Sequence, residues 1–196
     1  AFDRGKKIYE GRKYAEASAV FQKALTYPAD QQATVEAHYW AGECDYAMGD
    51  YSAALGKYDD VRNAGGAYAS SLYEQAGYSM GYSFFKLKQY DEAATSFRRG
   101  LEASGMTREQ RNDAMVRIGD CYFVGKDEAT AVQWYDKAID NNAAASDYAM
   151  YQKGICLGLQ KKYTDKIATP KKLLGAKRNS KYAAEAKLEL GQHYLT

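Results

Sequence analysis

Apolar residues return along the chain every three or four positions, in blocks set apart by glycine, asparagine and aspartate, and no stretch carries the two-residue period of a strand. The pattern predicts eleven helices, taken in pairs. The first helix of each pair, helix A, is expected at about Phe2 to Glu10, Asp30 to Met48, Tyr68 to Leu87, Thr107 to Val124, Ser146 to Lys161 and Ser180 to Leu195. The second, helix B, is expected at Lys13 to Tyr27, Asp50 to Asn63, Tyr90 to Ala103, Asp127 to Asn141 and Tyr163 to Gly175. Ser71 with Glu74 and Thr107 with Gln110 have the spacing of a capping box, in which each side chain satisfies a free backbone N–H at the other end. Breaks fall at Ala64-Gly65-Gly66, Ser104-Gly105 and Asn141-Asn142.

One residue keeps time through these blocks. Gly5, Gly42, Gly81, Gly119, Gly154 and Gly191 recur at spacings of 37, 39, 38, 35 and 37 residues. A period near that length with two helices per copy is the mark of a helical-hairpin solenoid, whose neighbouring repeats bury one another's apolar faces. With the glycine counted as position 8, position 17 holds Tyr14, Tyr51, Tyr90 and Tyr163, and position 20 holds Ala17, Ala54, Ala93 and Ala131. Position 24 holds Phe21, Tyr58, Phe97 and Tyr135, and position 27 holds Ala24, Val61, Gly100 and Ala138. A helical glycine costs about 1 kcal/mol relative to alanine, so its return in register implies a packing reason, expected here to be close approach of two helix backbones.

This register resembles the tetratricopeptide repeat family, in stretches such as Ala41-Gly42, Gly49-Asp50-Tyr51, Ala54 and Tyr58. The resemblance covers nearly the whole chain. It implies an all-α, right-handed superhelical solenoid of antiparallel helix pairs, with repeats at about 1–29, 30–67, 68–106, 107–144 and 145–179 and a partial sixth over 180–196. Opening at Ala1 inside a helical pattern, without an initiator Met, the chain reads as a fragment of a longer one. The fifth repeat departs from the family pattern: position 20 is Lys166 and position 24 is Pro170, and a proline within a helix predicts a kink or break near Ile167 to Pro170.

Candidate chemistry is thin. Cys44, Cys121 and Cys156 all occupy position 10, with Ser83 in the same place in the third repeat. A niche for a small residue explains them better than a metal or redox site, and no CxxC accompanies them. Two histidines, no Gly-x-Ser-x-Gly and no phosphate-cradling loop give no catalytic, cofactor or metal residues to name, so the reading is of a protein that is not an enzyme. With 46% apolar and 27% charged residues and no run of 18 apolar ones, the composition is that of a globular chain without a transmembrane segment.

The surface carries the functional reading. In the family, positions 2, 5, 9, 12 and 13 of helix A face an inner groove, and here they read as an aromatic wall. Candidate groove residues are Tyr39, Glu43, Tyr46, Tyr78, Tyr82, Phe85, Arg117, Asp120, Phe123, Tyr148 and Tyr151. Tyrosine gives a recognition surface stiff contact area with a polar tip. Tyr14, Tyr51, Tyr58, Tyr90, Tyr135 and Tyr163 are discounted as packing residues, whereas Tyr39, Tyr46, Tyr78, Tyr82, Tyr148 and Tyr151 have no such explanation in the sequence. The family's chaperone-tail clamp finds no matching set of Lys, Asn and Arg; Arg117 alone sits at one of its positions.

Charge is uneven. Between Lys161 and Lys187, nine basic residues stand against two acidic ones, while the rest of the chain holds 18 basic and 23 acidic residues. The block includes Lys161, Lys162, Lys171, Lys172, Lys177, Arg178 and Lys181, and it suits an acidic partner or an anionic membrane surface, with a solvated face as the plain alternative. Too few aromatics accompany it for nucleic acid to be expected. Two functions stay open: a noncatalytic scaffold that binds a peptide or helix of a partner protein in a Tyr-rich groove, and a structural spacer that contacts partners through its ends or its basic block. The repeat lengths and the Ser180-Lys-Tyr-Ala-Ala-Glu-Ala stretch resemble tetratricopeptide proteins of the bacterial cell envelope, implying a periplasmic or envelope location, with the cytoplasm as the alternative that three unpaired cysteines suit.

Overall fold

The computed structural model describes residues 2–64, 70–102, 105–142, 146–159, 170 and 182–187, with the side chains of Ser70 and Ser71 excepted. These residues form α1 (Phe2–Glu10), α2 (Tyr14–Thr26), α3 (Gln31–Met48), α4 (Tyr51–Asn63), α5 (Ser70–Lys86), α6 (Tyr90–Glu102), α7 (Arg108–Val124), α8 (Glu128–Asn141) and α9 (Asp147–Leu159), with a further helical stretch over 183–187 and no strand among them. Each expected helix that lies within the described residues is present, and the ends that fall inside described stretches are within one residue of expectation. Asp30, Asp50 and Asp127 prove to be caps rather than first helical residues: each side chain accepts a hydrogen bond from the N–H three residues on, at 2.7, 3.0 and 3.0 Å. Thr107 and Gln110 form the expected capping box. The Ser71 cap, the fifth helix B with its kink, and the basic residues Lys161 to Lys181 lie outside the described residues.

The fold is an all-α solenoid of antiparallel helix pairs, and the chain divides into two compact units, Ala1–Gly105 and Met106–Thr196. In the first, successive helices α1 to α6 pack on one another in chain order, and α3 also packs on both α1 and α5. In the second, α7 packs on α8 and α8 on α9. The four described hairpin turns share one geometry. The N–H at position 15 bonds to the carbonyl at 12 and that at position 16 to the carbonyl at 11, as in Lys88 to Phe85 and Gln89 to Phe84, a Schellman ending. Position 15 is left-handed in all four, at Arg12, Gly49, Lys88 and Lys126, with φ of 59°, 89°, 62° and 64°.

The recurring glycine has a different cause from the one expected. It seats the ring of position 24 rather than a second backbone. A Cβ added at Gly5 would lie 2.6 Å from Phe21, at Gly42 2.8 Å from Tyr58, at Gly81 2.7 Å from Phe97 and at Gly119 2.6 Å from Tyr135. Those four rings are fully buried, so the glycine is what lets each drop flat onto its own helix A. Pro170 is helical and buried and takes the same place over Gly154, where a Cβ would meet its Cγ at 3.4 Å. The three cysteines are buried free thiols and Ser83 is as buried as they are, which confirms the small-residue niche at position 10.

Candidate functional site

Position 9 comes directly after the register glycine on helix A, so its side chain starts beside the buried ring of position 24. Where that ring is a tyrosine, position 9 is an acid. Tyr58 donates a hydrogen bond to Glu43 at 2.9 Å, and Tyr135 donates one to Asp120 at 2.8 Å. Where the ring is Phe21 or Phe97, position 9 is Lys6 or Tyr82. A buried hydroxyl without a partner is costly, so the acid is the condition for having tyrosine there.

Each acid also reaches the helix A that follows. Ser79 on α5 donates to Glu43 at 2.8 Å, and Tyr148 on α9 donates to Asp120 at 3.0 Å. Arg117 closes the second clasp, with its guanidinium 2.5 Å from Asp120, 3.4 Å from Asp113 and 5.7 Å over the Tyr148 ring. Burial pushes the Asp120 carboxyl above its usual range, with Arg117 and the two hydroxyls pulling the other way. Burial and the Asp120 charge push the Tyr148 phenol up to about 12.

A second set of rings is absorbed at the hairpin turns. Position 12 meets position 17 across the turn in the first three repeats: Tyr9 with Tyr14, Tyr46 with Tyr51 and Phe85 with Tyr90, at centroid distances of 5.2, 5.3 and 5.4 Å. Tyr46 and Phe85 therefore do have a packing explanation that the sequence did not reveal. So does Tyr39, whose ring lies 5.7 Å from Trp40 and 6.1 Å from Tyr58 and packs against the core of Val35, Ala54, Val61 and Ala76. Phe123, whose repeat has Glu128 rather than a tyrosine at position 17, packs against the core of the second unit.

Two groups of half-buried tyrosines pack ring on ring, one in each unit. In the first, Tyr78 and Tyr82 lie edge to face at 5.3 Å, with their hydroxyls 3.5 Å apart, and both stand on Phe97. In the second, Tyr182 stacks on Tyr151 at 5.5 Å and tilts onto Tyr148 at 5.4 Å. There Tyr148 and Tyr182 border a cleft of about 370 Å³ with Asp113, Val116 and Arg117. Ser79 and Tyr182 were not among the expected groove residues. For Ser79 a signal existed in the pairing of acid at 9 with Tyr at 24, which asks for further hydrogen-bond donors nearby.

A tetratricopeptide repeat family model matches residues 2–70 and 78–149. The chain belongs to the tetratricopeptide repeat family. No curated protein matches it by sequence. Among solved structures it is similar to YrrB, described as a TPR protein with an unusual peptide-binding site, at 18% identity and a TM-score of 0.71 over 95% of this chain and 89% of that one. It is similar to the apo form of RapI at 15% identity and a TM-score of 0.80, over 97% and 75% of the two chains. MamA from Desulfovibrio magneticus RS-1 aligns at 16% identity and a TM-score of 0.73, over 91% and 94%. These likenesses are of fold. The coarse function of this tetratricopeptide repeat chain is that of a protein-interaction scaffold, and no helix among its described residues is long and apolar enough to cross a membrane.

Proposed function

We propose that this tetratricopeptide repeat protein is a noncatalytic scaffold that holds a segment of a partner protein against the tyrosines of its A helices. The observation that carries the reading is Tyr78 with Tyr82. Their rings are packed edge to face on each other and on Phe97 and so held stiff, yet both are only half-buried. Rigid aromatic area with polar tips loses little entropy on binding, which is why such residues dominate interface energetics. Tyr151 and Tyr182 offer stacked aromatic area in the second unit, beside Tyr148, whose hydroxyl is anchored on Asp120. The peptide-binding site in the description of YrrB is consistent with this use of the fold.

Glu43 and Asp120 act in this reading as supports that fix neighbouring helices, since their carboxylates are already held by Tyr58 and Ser79, and by Tyr135, Tyr148 and Arg117. Site-specific photo-cross-linking tests the assignment. A photoreactive phenylalanine analogue at Tyr78 or Tyr151 is expected to capture the partner, and the same analogue at the exposed helix B residues Thr95 or Gln133 is not. Equal capture from all four positions would overturn it.

A further inference from the structure

Position 4 of helix A is filled by His38, Met115 and Met150 in the second, fourth and fifth repeats, and by Gly77 in the third. A Cβ built on Gly77 meets nothing within 4 Å. Unlike Gly81 one turn on, this glycine seats no ring among the described residues, so its cost in helix propensity is not offset by such packing. The space it leaves is a cleft of about 500 Å³ within the first unit, floored by Gly77 and Gly100 and bordered by Arg62, Tyr73, Ser96 and Arg99. That size is ordinary for a small-molecule site.

Arg62 is held above the floor. Its guanidinium lies 5.0 Å over the Tyr73 ring and donates to the Tyr73 hydroxyl at 3.1 Å and the Met80 sulfur at 3.7 Å. Its Nε is enclosed and bonds to no protein atom. The guanidinium is half-buried at the cleft wall and pairs with no carboxylate among the described residues, so an anion entering the cleft would give it a charged partner. Two acids also line the cleft. Glu74 already accepts from the Gly105 N–H at 3.0 Å, and Glu102 is exposed. The hydrogen bond and charge of Arg62, with Arg99 adding to them, hold the Tyr73 phenol below its ordinary value. A second cleft, of about 400 Å³ beside Met80 and Phe84, opens onto the same two arginines.

We infer that the Gly77 cleft is a binding site, separate from the tyrosine surface, for a small organic carboxylate with an apolar body, whose carboxylate meets Arg62 and Arg99 while the body lies over Gly77 and Gly100. Phenylacetate is a suitable probe, with phenethylamine as its cation of matching shape. With the Met80 methyl resonance as reporter, phenylacetate is expected to give a saturable shift at sub-millimolar concentration and phenethylamine none. Arg62→Gln should weaken phenylacetate at least tenfold. Gly77→Met, which restores the side chain that the fourth and fifth repeats carry, should abolish binding while thermal stability is kept or raised. No saturable shift with phenylacetate, equal binding of the amine, or unchanged binding in both variants would each overturn the inference. Because Gly77→Met leaves Tyr78 and Tyr82 in place, partner binding through the tyrosines should survive it.

Discussion

Tyr135 donates a 2.8 Å hydrogen bond to Asp120, and Tyr58 repeats that bond to Glu43 two repeats earlier. The relationship predicts a paired response to mutation. Tyr135→Phe should cost about 1–3 kcal/mol in urea unfolding, and Asp120→Ala more, since it strands Tyr135, Tyr148 and Arg117 together. The third repeat lacks the clasp, with Phe97 opposite Tyr82. Phe97→Tyr alone should destabilise, and Phe97→Tyr with Tyr82→Glu should recover part of that loss as a positive coupling energy. Additive effects there would contradict the clasp.

Alanine at the register glycines should separate them by what they seat. Gly81→Ala and Gly119→Ala place a methyl 2.7 and 2.6 Å from a buried ring and should cost about 1–3 kcal/mol despite better helix propensity. Gly77→Ala, with nothing within 4 Å, should gain up to about 1 kcal/mol. Gly154→Ala meets Pro170 only at 3.4 Å and should fall between. Denaturation midpoints of the four variants test the order.

The turns offer a gain rather than a loss. Lys88 and Lys126 hold φ of 62° and 64°, where Gly49 holds 89° at the same position. A left-handed L-residue costs on the order of 1 kcal/mol, so Lys88→Gly and Lys126→Gly should each raise the melting temperature, and Gly49→Ala should lower it. Unchanged midpoints would show that flanking contacts already relieve the strain.

Alkaline pH should unfold the protein early. Burial pushes the thiols of Cys44 and Cys156 up to about 12 from 9.0, and the phenols of Tyr9 and Tyr148 up to about 12 from 10.0. Each folded value lies above its unfolded one, so the stability these groups contribute is complete below pH 9 and is lost between there and 12. Unfolding free energy should fall steadily across that window. At about pH 8 Cys44 and Cys156 should react with a thiol reagent only after denaturant is added. Fast alkylation in the folded state would contradict their burial.

The apolar period and the caps made the helices readable, because packing at positions 8, 20, 24 and 27 returns through the first four copies and the aspartate caps of Asp50 and Asp127 share one offset. What the sequence hid were relationships between elements. The Glu43–Tyr58 and Asp120–Tyr135 bonds span fifteen residues and show only as a correlation between two columns of the repeat. The ring pair of Tyr46 and Tyr51 depends on the path of the turn, which no side chain states. Those two relationships shrink the candidate surface, moving Tyr46, Glu43 and Asp120 toward support and leaving Tyr78, Tyr82 and Tyr151 as the proposed centre, with Tyr148 shared between the Asp120 clasp and the surface.

Peptides selected from a random phage-displayed library on the wild-type protein, and remeasured on variants, test the central claim most directly. Selected peptides should bind Tyr78→Ala, Tyr82→Ala or Tyr148→Ala more weakly by about 2 kcal/mol, roughly thirtyfold, while Thr95→Ala and Gln133→Ala, on the B helices, bind as the wild type does. Wild-type affinity retained by all three tyrosine variants, with each shown to be folded, would contradict the account.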